Sequence, residues 1–590
     1  MHLSVLACDL DGTLAEHDRV APKTWQALRQ AKAAGLTLML VTGRRLDTFA
    51  ANGLFAELCE AIVAENGAVV YFPRRDIVAL PFGQLATTLW QRLKNLDIPL
   101  DRGTAIVATH VPHDQAILDL LREVGGGATI EYNRGAVMVL PPGATKGTGL
   151  HYALHELGYS PHNVIACGDA ENDRSLFEMV ELGAAVANAA PEVQDLADVV
   201  LSEVDGAGVR SLIETLLRGQ LPAHLPRLER RLLLGQDAEG EPIHLDPFAL
   251  VDGNLGIFGA SISGKSWLGG LLAEEMLKQG YQLCIIDPEG DYRSLRAFPH
   301  SLVLGGPGLP LPSVVDVVTF AEYSSVNLVI DLSGYDAPDK AAYVTDLLRA
   351  LRGLRARRGR PHWFLIDEVQ NFSAVEGGEL TNLLLQMMID GGICLVSFRP
   401  SQVDPFLLKG LDHWLITRLS LPEEIEAVAP FLTEQLAQPE LVERLPHLPV
   451  GQAYLSFNDA RWSLTPQKGV ISFRSGPRAV PHIRHLHKYL KAPLPEAKRF
   501  FFHDPTKPAF EQTAASLWEF REALEQVPRG SLQYHLQRED FEQWLKKVLH
   551  DDELARRISK IRRRNLFGPA LRQALLQVVI DRYEELDTLL

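Results

Sequence analysis

The chain has 590 residues, too many for one ordinary domain, and with 46% apolar and 22% charged residues it has material for several full cores. A formal charge of −16 excludes broad, nonspecific coating of nucleic acid, although it leaves room for a local basic channel. No uncharged apolar stretch reaches the ~18 residues of a membrane span, and the start Met1-His-Leu-Ser-Val5 lacks the basic region of a signal peptide. No membrane partner and a cytoplasmic location are therefore expected. Cys8, Cys59, Cys167, Cys284 and Cys394 lie far apart in apolar runs without a CxxC pair, and are expected to be reduced core residues.

In chain order, Leu3 to Cys8 reads as a short buried strand running into Asp9-Leu-Asp-Gly-Thr13. Two closely spaced carboxylates after a strand and before a glycine, one at the strand tip and the other just round the turn, suit a nucleophile with a neighbouring general acid. A helix from Pro22 to Ala34, stopped by Gly35, leads to a strand Leu36–Val41 that ends in Thr42-Gly-Arg-Arg45. Lys146 heads a later helix, and the strand Asn163–Cys167 ends in Gly168-Asp-Ala-Glu-Asn-Asp173. Strand tips carrying Asp, Thr and again Asp, interleaved with helices, predict an open parallel α/β sheet whose carboxyl edge holds the site. A carboxylate attacking a phosphate dianion is repelled unless a metal and a cation neutralise both partners, and Asp9, Lys146 and Asp169 supply such a set.

Between about Val70 and Pro141 the pattern changes to a compact insert. It has helices Phe82–Leu93 and Asp114–Val124, and strands at Thr104–Ala108, Ala128–Glu131 and Ala136–Leu140. Such a cap covers a site, excludes water and favours a small phosphorylated metabolite as substrate. His110, His113, Glu131 and Arg134 are candidate cap contacts, with ordinary surface polarity the preferred reading for each.

These motifs resemble the haloacid dehalogenase superfamily of phosphohydrolases, in the branch with a large α/β cap. The matching pieces are Asp9-Leu-Asp-Gly-Thr13, Val41-Thr-Gly-Arg44, Lys146 and Gly168-Asp-Ala-Glu-Asn-Asp173, with Glu65-Asn-Gly-Ala68 as the turn ahead of the cap. The resemblance implies a domain over residues 1–215, with core 1–69 and 141–215 and cap 70–140. It implies that Asp9 forms an aspartyl-phosphate and that Asp11 protonates the leaving group and later activates water. Thr42 would bind a phosphoryl oxygen and Lys146 would neutralise charge. Asp169, helped by Asp173 and Asn172, would hold Mg²⁺ with Asp9 and the backbone carbonyl of Asp11.

Residues 216–250 break periodicity at Gln220-Leu-Pro-Ala-His-Leu-Pro226, Gly235, Gly240 and Pro242, and read as a linker plus a small hairpin. After them the apolar run Leu255–Phe258 meets Gly259-Ala-Ser-Ile-Ser-Gly-Lys-Ser266, which fits the phosphate-binding loop at every fixed position. Gly259 and Gly264 let the backbone turn its N–H groups inward, Lys265 can reach the β/γ-phosphates, and Ser266 can hold Mg²⁺ at a helix N-terminus. A second apolar strand, Trp363–Ile366, ends in Asp367-Glu368, which has the chemistry of a metal-positioning aspartate beside a water-activating glutamate. ATP is thus an expected cofactor. A basic run from Arg349 to Arg360 reads equally as a pore lining or as a solvated helix end.

This stretch, residues 251–495, is similar to the HerA-type branch of the HerA/FtsK ATPases, which implies a RecA-like core and a ring, with a hexamer favoured. Arg399-Pro-Ser-Gln402 stands where that family senses the γ-phosphate, so the resemblance gives Gln402 that role and makes Arg399 and Arg418 the arginines offered to a neighbouring subunit. The N-terminal barrel usual in such motors is replaced here by the phosphatase-like unit. Phe398 also departs from the family pattern.

Residues 496–590, behind the break Ala492-Pro-Leu-Pro495, are helical by pattern, with aromatic residues at core spacing and a basic cluster from Arg556 to Arg564. They resemble an uncharacterised helical module and are given a docking or assembly role. The fold class expected is multidomain α/β: a Rossmann-like sheet with an α/β cap, a RecA-like ATPase core and a C-terminal helical domain. The leading functional expectation is a Mg²⁺-dependent phosphomonoester hydrolase joined to an oligomeric ATPase. The alternatives are a DNA-translocating motor coupled to a nucleic-acid end-processing phosphatase, and an ATP-gated assembly scaffold.

Overall fold

The computed structural model describes residues 3–48, 53–125, 127–133, 135–220, 230–261, 263–335, 337–373, 378–432, 440–457, 470–480, 499–505, 511–549 and 551–587. Arg134, Ile262 and the proline-rich breaks around 221–229 and 492–495 lie outside them. All five cysteines are buried and free, as expected. Among the described residues no helix is long and apolar enough to cross a membrane.

The strand Val5–Cys8 is buried on both faces, which is why its sequence is continuously apolar rather than alternating. It pairs in parallel with Thr37–Val41 on one side and Val164–Gly168 on the other, so the carboxyl ends of all three strands meet at one edge. Leu182–Ala185 and Val199–Val200 extend the sheet beyond Val164–Gly168, and Ala61–Ala64 extends it beyond Thr37–Val41. Val69–Phe72 and Ile77–Ala79 then add two antiparallel strands, so the core sheet runs past residue 70, where the cap was expected to begin.

The cap is a four-stranded antiparallel sheet, Asp101–Arg102, Val107–His110, Thr129–Asn133 and Ala136–Leu140, with helices Thr87–Lys94 and Asp114–Val124. It has its own small core around Leu93, Ile117 and Val139. The strand expected at Thr104–Ala108 begins only at Val107, because the amides of Thr104, Ala105 and Ile106 donate to the Glu65 carboxylate instead of to a ladder.

The second domain is built on an eleven-stranded sheet. Its parallel part runs in the order Ser301–Gly305, Asn327–Asp331, Leu283–Asp287, Trp363–Ile366, Ile393–Ser397, Leu255–Phe258 and His413–Ile416. Gln452–Phe457, Val470–Ser475, Leu232–Gln236 and Pro242–Leu245 continue it in antiparallel fashion. The hairpin within 216–250 is therefore an edge of this sheet and not a separate piece, with Gly235 set opposite Ser475.

The basic run divides: Arg355 and Arg360 are buried inside the fold, whereas Arg349 and Arg357 stay exposed. Arg349 pairs with Asp346 and Glu379, buried Arg355 donates to the Gly391 carbonyl at 2.7 Å, and Arg360 is fully buried at the seam with the first domain. There Arg360 donates to the Gly158 carbonyl at 2.7 Å and to Gln282 Oε1 at 3.0 Å. His162, Glu181, Tyr281 and Arg230 complete the seam. Tyr281 donates to Glu181 at 2.6 Å, Arg230 pairs with Glu181 at 2.9 Å, and the His162 and Tyr281 rings stack at 3.9 Å.

At the C-terminus a two-stranded ladder, Phe500–His503 with Glu511–Ala514, packs on helices Leu517–Gln526, Arg529–Gln537, Asp540–Trp544, Asp552–Arg563 and Gly568–Asp587. Phe520, Phe541 and Trp544 lie in its core, as their spacing predicts, with Phe500 and Phe502 from the ladder beside them, but Trp518, expected there too, is 38% exposed. Arg556, Arg557 and Arg562 of the basic cluster are paired with Glu553, Glu585, Glu539 and Glu542.

Candidate active sites

At the carboxyl edge of the first sheet Asp9 follows its strand directly and is 4% exposed. Lys146, the first residue of the helix Lys146–Leu157, reaches it with a 2.6 Å bond from Nζ to Asp9 Oδ1 and holds Asp173 Oδ1 at 2.7 Å. Thr145 caps that helix by accepting from the Thr148 amide, which fixes where the lysine starts. Asp173 Oδ2 accepts from the amides of Asp169 and Ala170, and Thr13 donates to Asp169 Oδ1 at 3.0 Å. Thr42 is buried beside them and Asn172 donates to Asn66.

Burial pushes the Asp9 carboxyl well above its ordinary range, with Asp173 and Asp169 adding to the shift and Lys146 opposing it. Burial also works against the charge of Lys146, but Asp173 and Asp9 outweigh it and keep the amine protonated. Asp9, Asp169 and Asp173 bring ligand oxygens within 4.8 Å of one another. Three buried carboxylates around one lysine carry an excess of negative charge in a dry site, and an oxygen-seeking divalent cation fits that donor set.

Asp11 sits differently from Asp9. Its side chain is 41% exposed and is gripped by Arg44, whose Nε donates to Asp11 Oδ2 at 2.8 Å; Arg44 also pairs with Asp18. Of the cap candidates, His110 is exposed and His113 half-buried, whereas Glu131 turns inward. Its Oε2 is buried without a hydrogen-bond partner among the described residues. Burial raises its pKa to about 7, with Lys146 opposing and Asp173 adding. The polar reading preferred for Glu131 from sequence missed this, because inward direction on an irregular cap strand has no sequence signal.

In the second domain the phosphate-binding loop leaves the strand Leu255–Phe258 and enters the helix Lys265–Lys278. Gly259 is required by close approach: a Cβ there would stand 1.8 Å from Thr417 Oγ1. Gly264 has φ of 112°, a left-handed value that side chains avoid. Lys265 lies 5.8 Å over the Phe398 ring, and Ser266 follows it in the first helical turn, half-exposed.

Asp367 is fully buried at the tip of the neighbouring region of the sheet, and its Oδ2 has no hydrogen-bond partner among the described residues. Burial holds its pKa well above the ordinary value, with Glu368, Asp291 and Asp287 adding and Lys265 opposing. An orphaned buried carboxylate oxygen near a phosphate loop fits a hydrated Mg²⁺. Glu368 has φ of 48°, a strained value for a residue with a side chain. Its Oε2 accepts from Gln370 Nε2 at 2.6 Å, and Gln370 Oε1 accepts from Ser397 Oγ at 2.5 Å.

Gln370 was not singled out in the sequence, although it follows the acidic pair closely. Gln402, expected as the sensing residue, is exposed in the turn Pro400–Gln402. Arg399 is exposed, with its guanidinium 5.2 Å over Phe398. Arg418 is half-buried, and its carbonyl accepts from the Ala260 amide at 2.7 Å, at the start of the loop that leads to Lys265.

Comparison with known proteins gives three family matches along the chain. Residues 6–83 and 105–213 match the haloacid dehalogenase-like hydrolases, residues 232–333 the central domain of helicase HerA, and residues 497–590 a family of unknown function. Phosphoglycolate phosphatase 2 of Saccharolobus solfataricus is 31% identical over 224 residues, covering 36% of this chain and 93% of that protein. The phosphoglycolate phosphatase of Methanothermobacter thermautotrophicus is also 31% identical over 224 residues, covering 36% of this chain and 97% of its own. A solved haloacid dehalogenase-like hydrolase from Bacteroides thetaiotaomicron aligns at 20% identity with a TM-score of 0.33, over 36% of this chain and 99% of that one.

Proposed function

Through its N-terminal part the chain belongs to the haloacid dehalogenase-like hydrolases, and on that premise we propose that it is a bifunctional enzyme, a Mg²⁺-dependent phosphomonoesterase joined to an oligomeric ATPase. The observation that carries the phosphatase reading is Lys146, buried between Asp9 at 2.6 Å and Asp173 at 2.7 Å at the strand tips. The substrate class is a small phosphorylated acid such as 2-phosphoglycolate, in keeping with the names of the relatives and with a cap over the site.

Asp9 attacks phosphorus as the bond to the leaving oxygen breaks, and Asp11 gives that oxygen its proton. Asp11 then takes a proton from water, which cleaves the aspartyl-phosphate and restores Asp9. Lys146 and the Thr42 hydroxyl hold phosphoryl oxygens. Asp9, Asp169 and Asp173, with the Asp11 carbonyl, would hold Mg²⁺, which when bound supplies charge neutralisation. Arg44 grips the Asp11 carboxylate, and an incoming anionic substrate gives the guanidinium an alternative partner that frees Asp11 for the leaving oxygen.

In the second domain Lys265 binds the phosphates of ATP, while Ser266 and Asp367 would hold its Mg²⁺. Glu368 orients water with help from Gln370, and the exposed Arg399 is the better placed arginine to serve a neighbouring subunit.

Phosphate release from 2-phosphoglycolate and from ATP, each with Mg²⁺, tests both halves. Asp9→Asn should lose the first activity and keep the second, since it removes the nucleophile and almost no volume. Undiminished 2-phosphoglycolate turnover by Asp9→Asn would remove Asp9 as nucleophile, and an inactive wild type would remove the substrate class. Glu368→Gln should bind ATP in calorimetry without hydrolysing it, whereas Lys265→Ala should lose binding. Equal loss of affinity in the two variants would count against the role given to Glu368.

A further inference from the structure

A cavity of about 510 Å³ opens at the seam between the first and second domains, and neither proposed reaction uses it. It lies at the amino end of the strand Thr37–Val41, whose other end delivers Thr42 to the phosphatase site. The length of that strand separates the two by roughly 13 Å. The volume is that of an ordinary small-molecule pocket.

Its floor is apolar, with Leu36, Leu38 and Phe72, and its walls are cationic. Lys32, Arg74, Arg75 and Arg358 face the space against a single carboxylate, Glu60. Glu60 is already engaged, by Arg74 at 2.9 Å and by Lys32 at 3.9 Å. Lys32 also donates to the carbonyls of Glu57 and Leu58, so its ammonium is fixed in place. Arg75 and Arg358 have no carboxylate partner among the described residues. Arg75 lies 5.8 Å from the Phe72 ring, and Arg358 lies 5.0 Å over the Tyr159 ring. Arg358 stands only two residues from buried Arg360, and their repulsion adds to the burial that lowers the Arg360 pKa to about 10. Arg75 and Arg358, without a carboxylate partner on a half-open cavity rich in positive charge, leave a local positive field that an anion complements.

The walls come from two domains. Lys32, Arg74 and Arg75 belong to the phosphatase-like core, whereas Arg358 ends the helix Ala337–Arg358 of the ATPase domain. That helix end leads through Gly359, whose carbonyl accepts from Asn163 at 3.0 Å, and Arg360 into the strand Trp363–Ile366 that carries Asp367 and Glu368.

We propose that this cavity is a binding site for a small molecule bearing phosphate groups, which bridges Arg358 to the cations of the first domain and so ties the ATPase helix to the phosphatase core. The ligand is a polyphosphate or a phosphate ester with an apolar body. The apolar floor favours the ester.

Calorimetry on the full chain with EDTA, using pyrophosphate and AMP as probes, tests this without relying on turnover at either catalytic site. A site should persist in the Lys146→Ala/Lys265→Ala variant, in which both catalytic phosphate cradles are lost. Affinity at that site should fall at least tenfold in Arg75→Gln/Arg358→Gln and recover in Arg75→Lys/Arg358→Lys. Tighter binding of AMP than of pyrophosphate marks an ester, and the reverse order marks a polyphosphate. Binding that disappears in Lys146→Ala/Lys265→Ala, binding indifferent to the seam arginines, or no binding of either probe overturns the site. Both seam arginines are at least partly solvent-accessible, so the neutral variants should fold, and thermal melting alongside wild type verifies it.

Discussion

Glu65 is the bolt between core and cap, and replacing it by Gln tests whether cap placement depends on that one side chain. Its fully buried carboxylate accepts three amides: Thr104 at 2.8 Å on Oε1, and Ala105 at 2.8 Å with Ile106 at 3.2 Å on Oε2. A glutamine can turn its oxygen towards Ala105 and Ile106, but its NH₂ then faces the Thr104 amide, leaving donor against donor. An orphaned buried donor costs ~1–3 kcal/mol, and two charge-assisted bonds become neutral at roughly 1 kcal/mol each. Cheaper burial of an uncharged group offsets part of this, leaving about 2 kcal/mol, or roughly 30-fold in an equilibrium constant. Hydrogen exchange at Thr104, Ala105 and Ile106 should quicken by about that factor, with little change in the C-terminal domain. Under the proposed function, kcat/KM for 2-phosphoglycolate should fall while ATP hydrolysis is kept. Exchange at the three amides within about twofold of wild type would refute the reasoning, because the ordering energy of this hinge would then lie elsewhere.

Glu131, with its pKa raised to about 7 by burial, is neutral below that pH and charged above it, so KM for a dianionic substrate should rise as pH passes through 7. Glu131→Gln should flatten that rise, and an unchanged pH profile would remove Glu131 from the substrate wall. Gln370→Ala should slow ATP hydrolysis at least tenfold with nearly unchanged ATP affinity, since it touches Glu368 and Ser397, and calorimetry beside turnover measures both. Light scattering with a nonhydrolysable ATP analogue should show a closed ring, most simply a hexamer, and a strict monomer at micromolar protein would remove it. In mixed rings with Asp367→Ala, activity of Arg399→Ala should be partly rescued and that of Arg418→Ala should not, which the two arginines' exposure and position distinguish.

The chemistry-bearing strand tips were legible in the chain because local rules generate them. An apolar run long enough to be one buried strand, ending in a polar residue before a turn, gives Asp9, Thr42, Asp169 and Asp367 without knowledge of their neighbours. The phosphate loop was legible partly for the same reason, since Gly264 answers a local backbone need with φ of 112°, whereas the need for a glycine at 259 is set by Thr417, far along the chain. What required the tertiary structure was every choice between partners distant in sequence. Glu65 diverts three amides from a strand the pattern favoured, and the hairpin at 232–245 joins a sheet whose next strand lies beyond residue 470. Arg349 to Arg360, ambiguous as a string of charges, divides into internal struts, Arg355 and Arg360, that reach carbonyls from elsewhere in the chain, and surface residues such as Arg349, which pairs with Asp346 and Glu379. Gln370 stands beside Glu368, a contact the sequence did not single out, and Glu131 turns inward towards Lys146 and Asp173. Propensity and motif act over a turn or a strand, whereas the direction of a side chain and the neutralisation of its charge are set by groups that only the folded chain brings together.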